Sequence, residues 1–88
     1  MAPPRAVSMR HTIVPTPERN EFLQRAGAKR KHYSSVGCRY WLFEEVSLPG
    51  AYLEFFEAED SGTLQLAHQN APEPIADSAR MYVEVELT

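Results

Sequence analysis

The sequence has few of the features by which small enzymes and membrane proteins are usually recognised. Its 88 residues include one cysteine and four glycines. Cys38 alone can neither close an internal disulfide nor build a metal site, and no glycine-rich loop is present to hold a phosphate. No apolar run approaches the roughly 20 residues that span a bilayer, and the first residues lack the apolar core of a signal peptide. We therefore expect a cytoplasmic protein with no metal, no cofactor and no membrane partner.

Acidic residues are scarce in the first part of the chain, and basic residues are scarce in the rest. The first 39 residues contain eight Lys and Arg and two acidic residues, whereas the remainder contains one Arg and ten acidic residues. This asymmetry predicts ion pairs between a basic helix and acidic strands. The alternative is that basic residues of the helix bind nucleic acid, through the cluster Arg25, Lys29, Arg30 and Lys31. Because the whole chain is acidic and no aromatic residues interleave with the cluster, no nucleic-acid partner is expected.

The first part of the chain predicts one strand followed by one helix. Residues 1–5 are expected to form a loose leader. Apolar and polar residues alternate over residues 6–14 with the period of a strand. Thr16-Pro17-Glu18 is typical of a helix start, with Thr16 as N-cap and Pro17 in the first turn. The helix is expected to run to about residue 35, where Gly37 can end it.

The rest of the chain predicts a hairpin, a short helix and a last strand. Strands over 38–46 and 51–58 flank Leu48-Pro49-Gly50-Ala51, which suits a type II turn because Pro fixes φ and Gly accepts a positive φ. A helix over 63–70 and a strand over 79–87 follow. The order βαββαβ predicts one ferredoxin-like α+β domain over residues 1–88, a four-stranded antiparallel sheet with two helices on one face.

Both faces of the predicted hairpin carry large apolar side chains. A sheet of this type normally packs one face on helices and keeps the other polar. Each exposed aromatic or leucine side chain forgoes roughly 1.5–3 kcal/mol of burial, so we expect two sheets to pack face to face in a homodimer. The alternative is a monomer whose second face stays hydrated. The side chains concerned are Tyr40, Trp41, Leu42, Phe43, Tyr52, Leu53, Phe55 and Phe56.

Several short motifs follow one another in a fixed order. They are Gly37-Cys38-Arg39-Tyr40, then Pro49-Gly50, then Leu53-Glu54-Phe55-Phe56-Glu57, and finally Leu64 with His68. Residues 7–70 thereby resemble the antibiotic biosynthesis monooxygenase-like proteins of the dimeric α+β barrel superfamily, and residues 79–87 match by pattern only. The resemblance implies a homodimeric barrel with a pocket between each sheet and its helices.

The same resemblance implies two alternative functions. One is the binding of quinol or polyketide-type aromatics and their cofactor-independent oxidation, in which the deprotonated substrate itself reduces O₂. The other is a non-catalytic binding or regulatory homodimer, since the family includes proteins without known activity. Haem is not expected, because the Asn-Trp-His set of the haem-degrading members has no match. The sequence also departs from many members in lacking the second histidine of a Ser-Pro-His segment after His68.

The candidate catalytic residues are His11 and His68. His11 lies among apolar residues of the first strand, where an imidazole can act as a base near neutral pH or serve as a hydrogen-bonded core residue. His68 matches the family's second-helix histidine and is expected at the pocket rim; the alternative is a surface or helix-end position. A joint site of His11, His68 and Glu54 is conceivable, and His32 is expected to be solvated. Three histidines on three elements do not have the spacing of a metal site.

Aromatic, basic and acidic side chains are the candidates for holding a small aromatic ligand. The aromatic rings suit stacking on a flat molecule, with plain packing as the alternative. An arginine, Arg10 or Arg39, would stabilise the substrate anion. Glu54 can accept a proton if it is enclosed, or lie hydrated at the rim. The predicted ligand-binding residues are Tyr33, Tyr40, Trp41, Tyr52, Glu54, Arg10 and Arg39.

The space between helices and sheet distinguishes the two functions. A ligand site requires a cavity there that a histidine reaches. In a purely structural dimer that space is expected to be filled by Phe22, Leu23, Tyr33 and Leu66.

Overall fold

The computed structural model describes residues 3–73 and 80–87. A 3-10 helix (Thr16–Glu18) precedes the first α-helix. The elements are β1 (Ala6–Ile13), α1 (Arg19–Ser35), β2 (Arg39–Glu44), β3 (Ala51–Ala58), α2 (Ser61–Gln69) and β4 (Met81–Val83). The strands form one antiparallel sheet in the order β2-β3-β1-β4. Both helices pack on one face of it, so the predicted ferredoxin-like α+β fold is confirmed.

Two glycines hold the turns that the sequence predicts. Gly37 has a φ of 79° just after α1, a conformation that costs other residues strain. Gly50 has a φ of 95°, and the Ala51 N–H donates to the Leu48 carbonyl at 3.1 Å, which closes the Pro49-Gly50 turn. A Cβ on Gly50 would lie 2.8 Å from the Val14 carbonyl oxygen. The turn therefore requires glycine both for its conformation and for the close approach of β1.

The two helices begin at different residues from those predicted. Thr16 does not cap α1, because Thr16–Glu18 forms the 3-10 helix and Glu18 occupies the N-cap without a side-chain hydrogen bond. α2 begins at Ser61 rather than residue 63, since Asp60 accepts the Thr63 N–H at 2.7 Å and acts as its N-cap.

The two ends of the chain are tied to each other. β4 ends at Val83 rather than residue 87 because Val83 pairs with Ala6, the first residue of β1, and no ladder partner lies beyond it. The Arg5 carbonyl still accepts the Glu84 N–H at 2.8 Å, and the Arg5 guanidinium pairs with Glu57 and Glu84. Arg5 is therefore not part of a loose leader; residues 1, 2 and 79 lie outside the described residues.

The side chains of α1 that face the sheet include a charged one. Phe22, Ala26, Lys29 and Tyr33 are buried, so Lys29 lies on the buried stripe of the helix. Tyr33 packs with Leu64 of α2 and Phe56 of β3 in the larger core cluster. Phe22 packs with Val14 and Tyr52 in a smaller one.

Alternation along the strands divides the sheet into two faces. The covered face points toward the helices, and the open face points away from them. On the open face Ile13 is 71 % and Phe43 is 54 % exposed, and no described residue packs over them. The covered face includes Ala6, Ser8, Arg10, Thr12, Tyr40, Leu42, Tyr52, Glu54 and Phe56; the open face includes Val7, Met9, His11, Ile13, Trp41, Phe43, Leu53, Phe55 and Tyr82.

The uneven charge distribution is resolved within the chain. Lys29 pairs with Glu54, Arg25 with Glu73 and Arg19 with Glu44. Each pair joins the basic first part to the acidic remainder, as predicted. In the part of the chain that the structure describes, neither helix is long and apolar enough to cross a membrane.

Candidate functional site

A buried ion pair lies between α1 and the centre of the sheet. Lys29 Nζ donates to Glu54 Oε2 at 2.9 Å, and the Tyr40 hydroxyl donates to the same oxygen at 2.7 Å. Glu54 is 1 % exposed and Lys29 is 5 % exposed. A buried carboxylate and ammonium persist in a small core only when each has a partner of opposite charge, so the three side chains form one unit.

The local structure brings the three residues together. The strand period turns Glu54 to the covered face between Tyr52 and Phe56. The β2–β3 register sets Leu42 opposite Glu54 and Tyr40 opposite Phe56, which places Tyr40 on the diagonal from Glu54, within reach of a long side chain. Lys29 arrives from α1 on the same helical stripe as Tyr33.

The second oxygen of Glu54 is not engaged. Oε1 has no hydrogen-bond partner among residues 3–73 and 80–87. An acceptor left unsatisfied in this way costs about 1–3 kcal/mol, and most buried polar atoms have a partner. Because Oε2 already holds Lys29 and Tyr40, Oε1 is the atom of this unit that is open to a ligand.

Glu54 lines a cleft of about 140 Å³ between α1, the 3-10 helix and β1. Phe22 and Val14 contribute the apolar part of a lining that is mostly polar. The charged side chains of the lining are Arg10, Glu18, Arg25, Lys29, Glu54 and Glu73.

The charged side chains of the cleft differ in whether they are paired. Glu73 accepts from Arg25 Nε at 3.2 Å and lies 3.7 Å from Lys29 Nζ. Arg10 is the ladder partner of Glu54 across β1 and β3, and no carboxylate in the described part of the chain pairs with it. The cleft thus has an open acceptor in its depth and an unpaired guanidinium beside it.

A second polar cluster surrounds His68 of α2. Its Nε2 lies 2.8 Å from Ser8 Oγ and its Nδ1 lies 2.6 Å from the Tyr33 hydroxyl. Burial lowers the pKa of His68, and the nearby His32 lowers it further. Burial also raises the pKa of Tyr33. His68 is therefore an uncharged, 1 % exposed imidazole with both nitrogens engaged, at neither a pocket rim nor the surface.

The other two histidines lie elsewhere than the sequence indicated. His11 is exposed and turned to the open face, opposite Leu53 in the ladder, so it is not a core residue of this chain. The sheet separates it from Glu54 and His68, and the conceivable joint site of these three residues does not form. His32 is half-buried rather than solvated, and its Nε2–H donates to the Ala67 carbonyl at 2.8 Å, joining α1 to α2.

The sheet also divides the predicted ligand-binding residues. Tyr33, Tyr40, Tyr52, Glu54 and Arg10 lie on the side of the helices, whereas Trp41 and Arg39 lie on the open face. Trp41 contacts the Phe55 ring there at a centroid distance of 5.9 Å, and Arg39 lies 3.9 Å from Glu57. A cleft of about 340 Å³ at the edge of β2 is lined by both Tyr40 and Trp41, but none of the other predicted ligand-binding residues lines it.

The tyrosine rings of the covered face are engaged in packing. Tyr33 and Tyr40 contact Phe56 at centroid distances of 4.9 and 5.2 Å, and Tyr52 contacts Phe22 at 4.8 Å. Burial raises the pKa of Tyr40, and its hydrogen bond to Glu54 adds to the effect. Burial likewise raises the pKa of Tyr52. These rings therefore serve as packing groups rather than as stacking platforms, and the hydroxyls of Tyr33 and Tyr40 are also hydrogen-bonded.

Two residues of these clusters were not predicted from the sequence. Lys29 was considered only as part of the basic cluster of the first helix, although its spacing from Phe22, Ala26 and Tyr33 is that of one helix face. Ser8 was given no role. The helical period of α1 therefore contained a signal for Lys29. The alternation along β1 contained none for Ser8, because it does not show which side of the strand is buried.

The space between helices and sheet is filled around α2 and open around Glu54. Phe22 and Tyr33 are buried in it, as predicted for a structural dimer, and Leu23 is half-buried. Leu64 rather than Leu66 completes the packing, because Leu66 is 60 % exposed. The described lining of the Glu54 cleft includes no histidine. Within the described ranges no group of three or more His, Cys, Asp or Glu side chains is arranged to hold a metal ion.

Comparison with known proteins shows the fold alone. No protein-family model matches the sequence, and no curated protein matches it. The structure is similar to the crystal structure of a conserved protein from Methanosarcina mazei Go1, with a TM-score of 0.68 and 14 % sequence identity over 92 % of this chain and 91 % of that chain.

Proposed function

We propose that this chain is a homodimeric small-molecule-binding protein that resembles the cofactor-independent monooxygenases, with Glu54 as its proton acceptor. The observation that carries the proposal is the buried Oε1 without a described partner, in a cleft beside an ion-paired Lys29. A hydrogen bond donated by a hydroxyl of the ligand would satisfy this acceptor. It would offset the cost of about 1–3 kcal/mol of an unsatisfied buried acceptor.

The size of the cleft restricts the ligand. An apolar cavity of about 150 Å³ holds one benzene molecule, and the cleft measures about 140 Å³. It therefore accommodates one hydroxylated ring. A polyketide-type molecule of several rings exceeds this volume. Single-ring phenols and hydroquinones are the substrate class that the geometry favours.

The proposed chemistry needs one acceptor that takes a proton and returns it. Glu54 Oε1 takes the phenolic proton, and the phenolate transfers one electron to O₂. The resulting radical and superoxide combine to form a C–O bond, and the peroxide anion recovers the proton from Glu54. Loss of water from this hydroperoxide leaves a quinone, so one oxygen atom enters the product and the other leaves as water.

Lys29 and Tyr40 act in this scheme as positioning residues. Both bind Oε2 and so leave Oε1 as the acceptor for the substrate. In this scheme Glu54, rather than His11 or His68, accepts the proton. His11 faces the opposite side of the sheet, and both nitrogens of His68 are engaged in hydrogen bonds.

The experiment is oxygen uptake with methylhydroquinone and other single-ring phenols. Glu54→Gln preserves the shape of the side chain and removes the proton acceptor, so uptake above the enzyme-free rate is expected to fall at least about 100-fold, the upper contribution of a general base being about 10⁴-fold. Glu59→Gln removes an exposed carboxylate and is expected to retain uptake. Reaction under ¹⁸O₂ is expected to place one labelled atom in the quinone. Full uptake by Glu54→Gln would overturn the assignment, as would loss of uptake in His11→Ala with Glu54 intact.

The open face supports the homodimer. Its exposed apolar side chains form a patch of the kind that monomers rarely leave uncovered. The charged residues Arg39 and Glu57 lie close to each other on this face, so a second copy can meet it across a two-fold axis without facing an uncompensated charge. Sedimentation equilibrium is expected to give about 20 kDa, twice the 10.0 kDa of one chain. The single cysteine, buried as a thiol, suits the cytoplasmic location that we propose.

A non-catalytic homodimer is the second candidate, and the His68 cluster favours it. Ser8, Tyr33 and His68 satisfy one another in a packed core, which is a structural use of the histidine that the sequence had assigned to catalysis. This candidate predicts phenol binding without oxygen uptake, whereas the first predicts both.

A further inference from the structure

We infer that the ligand of the Glu54 cleft is a single-ring phenol that carries an acid group, with its hydroxyl on Glu54 and its acid group on Arg10. The inference rests on the proposed function and adds the substrate class. It combines the open oxygen of Glu54, the unpaired guanidinium of Arg10 among the described residues and the size of the cleft.

The group that meets Glu54 is an uncharged donor. Lys29 Nζ already lies 2.9 Å from Oε2 of the same carboxylate, so an ammonium or guanidinium at Oε1 would face a like charge at close range in a site shielded from water. A hydroxyl donates the same hydrogen bond without that repulsion. An amine ligand is therefore disfavoured, and an alcohol or phenol is favoured.

The size of the cleft indicates a single ring. Its volume of about 140 Å³ corresponds to one six-membered ring, and Phe22 and Val14 supply the apolar part of a mostly polar lining.

The acid group follows from Arg10. Arg10 is an exposed residue that lines the same cleft as Glu54, and it occupies the adjacent position of the neighbouring strand. Arg25, by contrast, is already paired with Glu21 and Glu73. Since a guanidinium binds a carboxylate through two parallel hydrogen bonds, Arg10 is the residue that can select an acidic ligand. The exposed Glu18 also lines the cleft and would weaken binding of an anion, so Glu18→Gln is expected to tighten it.

The test compares three probes of one size on the ¹⁵N-labelled protein. They are 4-hydroxybenzoate, 4-hydroxybenzyl alcohol, which lacks the acid group, and benzoate, which lacks the hydroxyl. Amide shifts at Arg10, Thr12 and Glu54 locate binding, and titration gives Kd. For the wild-type protein we expect 4-hydroxybenzoate to bind at least about tenfold more tightly than either of the other two, the effect of one lost charged hydrogen-bond pair.

Two variants assign the two ends of the ligand. Arg10→Gln is expected to remove the preference for 4-hydroxybenzoate over 4-hydroxybenzyl alcohol and to leave the alcohol's Kd unchanged. Arg39→Gln removes the same charge from the open face and is expected to keep the preference. Glu54→Gln is expected to make 4-hydroxybenzoate and benzoate bind alike.

The outcomes separate this inference from the proposed function. If 4-hydroxybenzyl alcohol binds at Glu54 as tightly as 4-hydroxybenzoate, or if Arg10→Gln keeps the preference for the acid, the acid-group assignment is wrong while the Glu54 site stands. If none of the probes shifts the amides of Arg10, Thr12 and Glu54, both are wrong. The comparison of probes on the wild-type protein is independent of the folding of any variant.

Discussion

The two faces of the sheet carry opposite exceptions to the usual burial pattern: polar side chains that are buried on one face and apolar side chains that are exposed on the other. The covered face includes Ser8 and Glu54, polar residues that are buried. The open face includes Ile13 and Phe43, apolar residues that are exposed. Polar groups withdraw from water at low cost only when partners meet them, and two sets of partners do so here, around Lys29 and around His68. Apolar groups left in water indicate a missing neighbour.

The comparison shows that exceptions within each face carry the functional information. On the covered face the exceptions are the Tyr52 hydroxyl and Oε1 of Glu54, which lack partners among the described residues, and Oε1 belongs to a carboxylate that lines a cleft. On the open face the exception is the extent of the apolar surface. Oε1 supports a ligand site and the apolar surface supports a homodimer. Four predictions, each with a control variant, test the comparison.

The largest effect is expected from Lys29→Met, which removes the cation beside a buried carboxylate. Breaking a buried ion pair in this way costs about 3–5 kcal/mol of unfolding free energy. Urea unfolding at neutral pH measures it. Lys31→Met removes an exposed lysine of the same helix and is expected to change stability by less than about 0.5 kcal/mol. Equal stabilities of the two variants would contradict a closed ion pair.

On the open face, Trp41→Glu is expected to separate the homodimer that we propose. A two-fold interface would bury two introduced carboxylates near each other, and like charges at an interface cost several kcal/mol. The dimer Kd should rise at least about 100-fold, about 3 kcal/mol, and sedimentation velocity at micromolar concentration should show the 10.0 kDa chain. Gln24→Glu, exposed on α1, is the control. A wild-type protein that already sediments as a single chain would remove the homodimer.

A smaller effect is expected from Tyr40→Phe, which removes a hydroxyl from the covered face. Hydrogen bonds to charged groups contribute about 1.5–3 kcal/mol, so the loss of the 2.7 Å bond to Glu54 should lower the unfolding free energy by about 2 kcal/mol. Tyr82→Phe removes an exposed hydroxyl of the open face and should be neutral. If both variants unfold at the same urea concentration, the Tyr40–Glu54 bond does not contribute.

The smallest effect is the pH dependence from His68. Its pKa in the folded protein is lowered by burial, so the unfolded chain binds a proton as the pH falls through about 6.5 while the folded protein does not. The stabilising contribution is therefore complete above this pH and declines below it, by at most about 1.4 kcal/mol per pH unit. Urea unfolding between pH 5.5 and 7.5 should show this slope in the wild-type protein.

The two histidines on opposite sides of the sheet provide the control for that slope. His68→Gln should abolish it and His11→Gln should keep it, because His11 is exposed in the single chain. A slope that follows His11 instead would place the titrating group on the open face.

Much of the fold could be predicted from local patterns. The hairpin and its Pro49-Gly50 turn depend on neighbouring residues, and β3 spans the predicted residues 51–58. The last strand was predicted too long because its length depends on where β1 begins. Because the end of this strand is set by pairing with Ala6, which is distant in the sequence, the alternation of residues 79–87 cannot show where the strand ends.

The site was predicted less completely than the fold. Glu54 and Tyr40 were among the expected ligand-binding residues, and they belong to one hydrogen-bonded unit. Lys29 was missed because a lysine near other basic residues is usually solvated, and His11 was placed in a core that lies on the other side of β1. These errors concern the direction of side chains rather than the type of element.

The order of strands and helices, their turns and the apolar character of both sheet faces were determined by the sequence itself, since each depends on residues close together in the chain. Tertiary structure alone decided which side of β1 turns toward the helices and which lysine enters the core. A period of two specifies that side chains alternate and not which set is buried. That choice depends on partners from distant elements, His68 for Ser8 and Glu54 for Lys29.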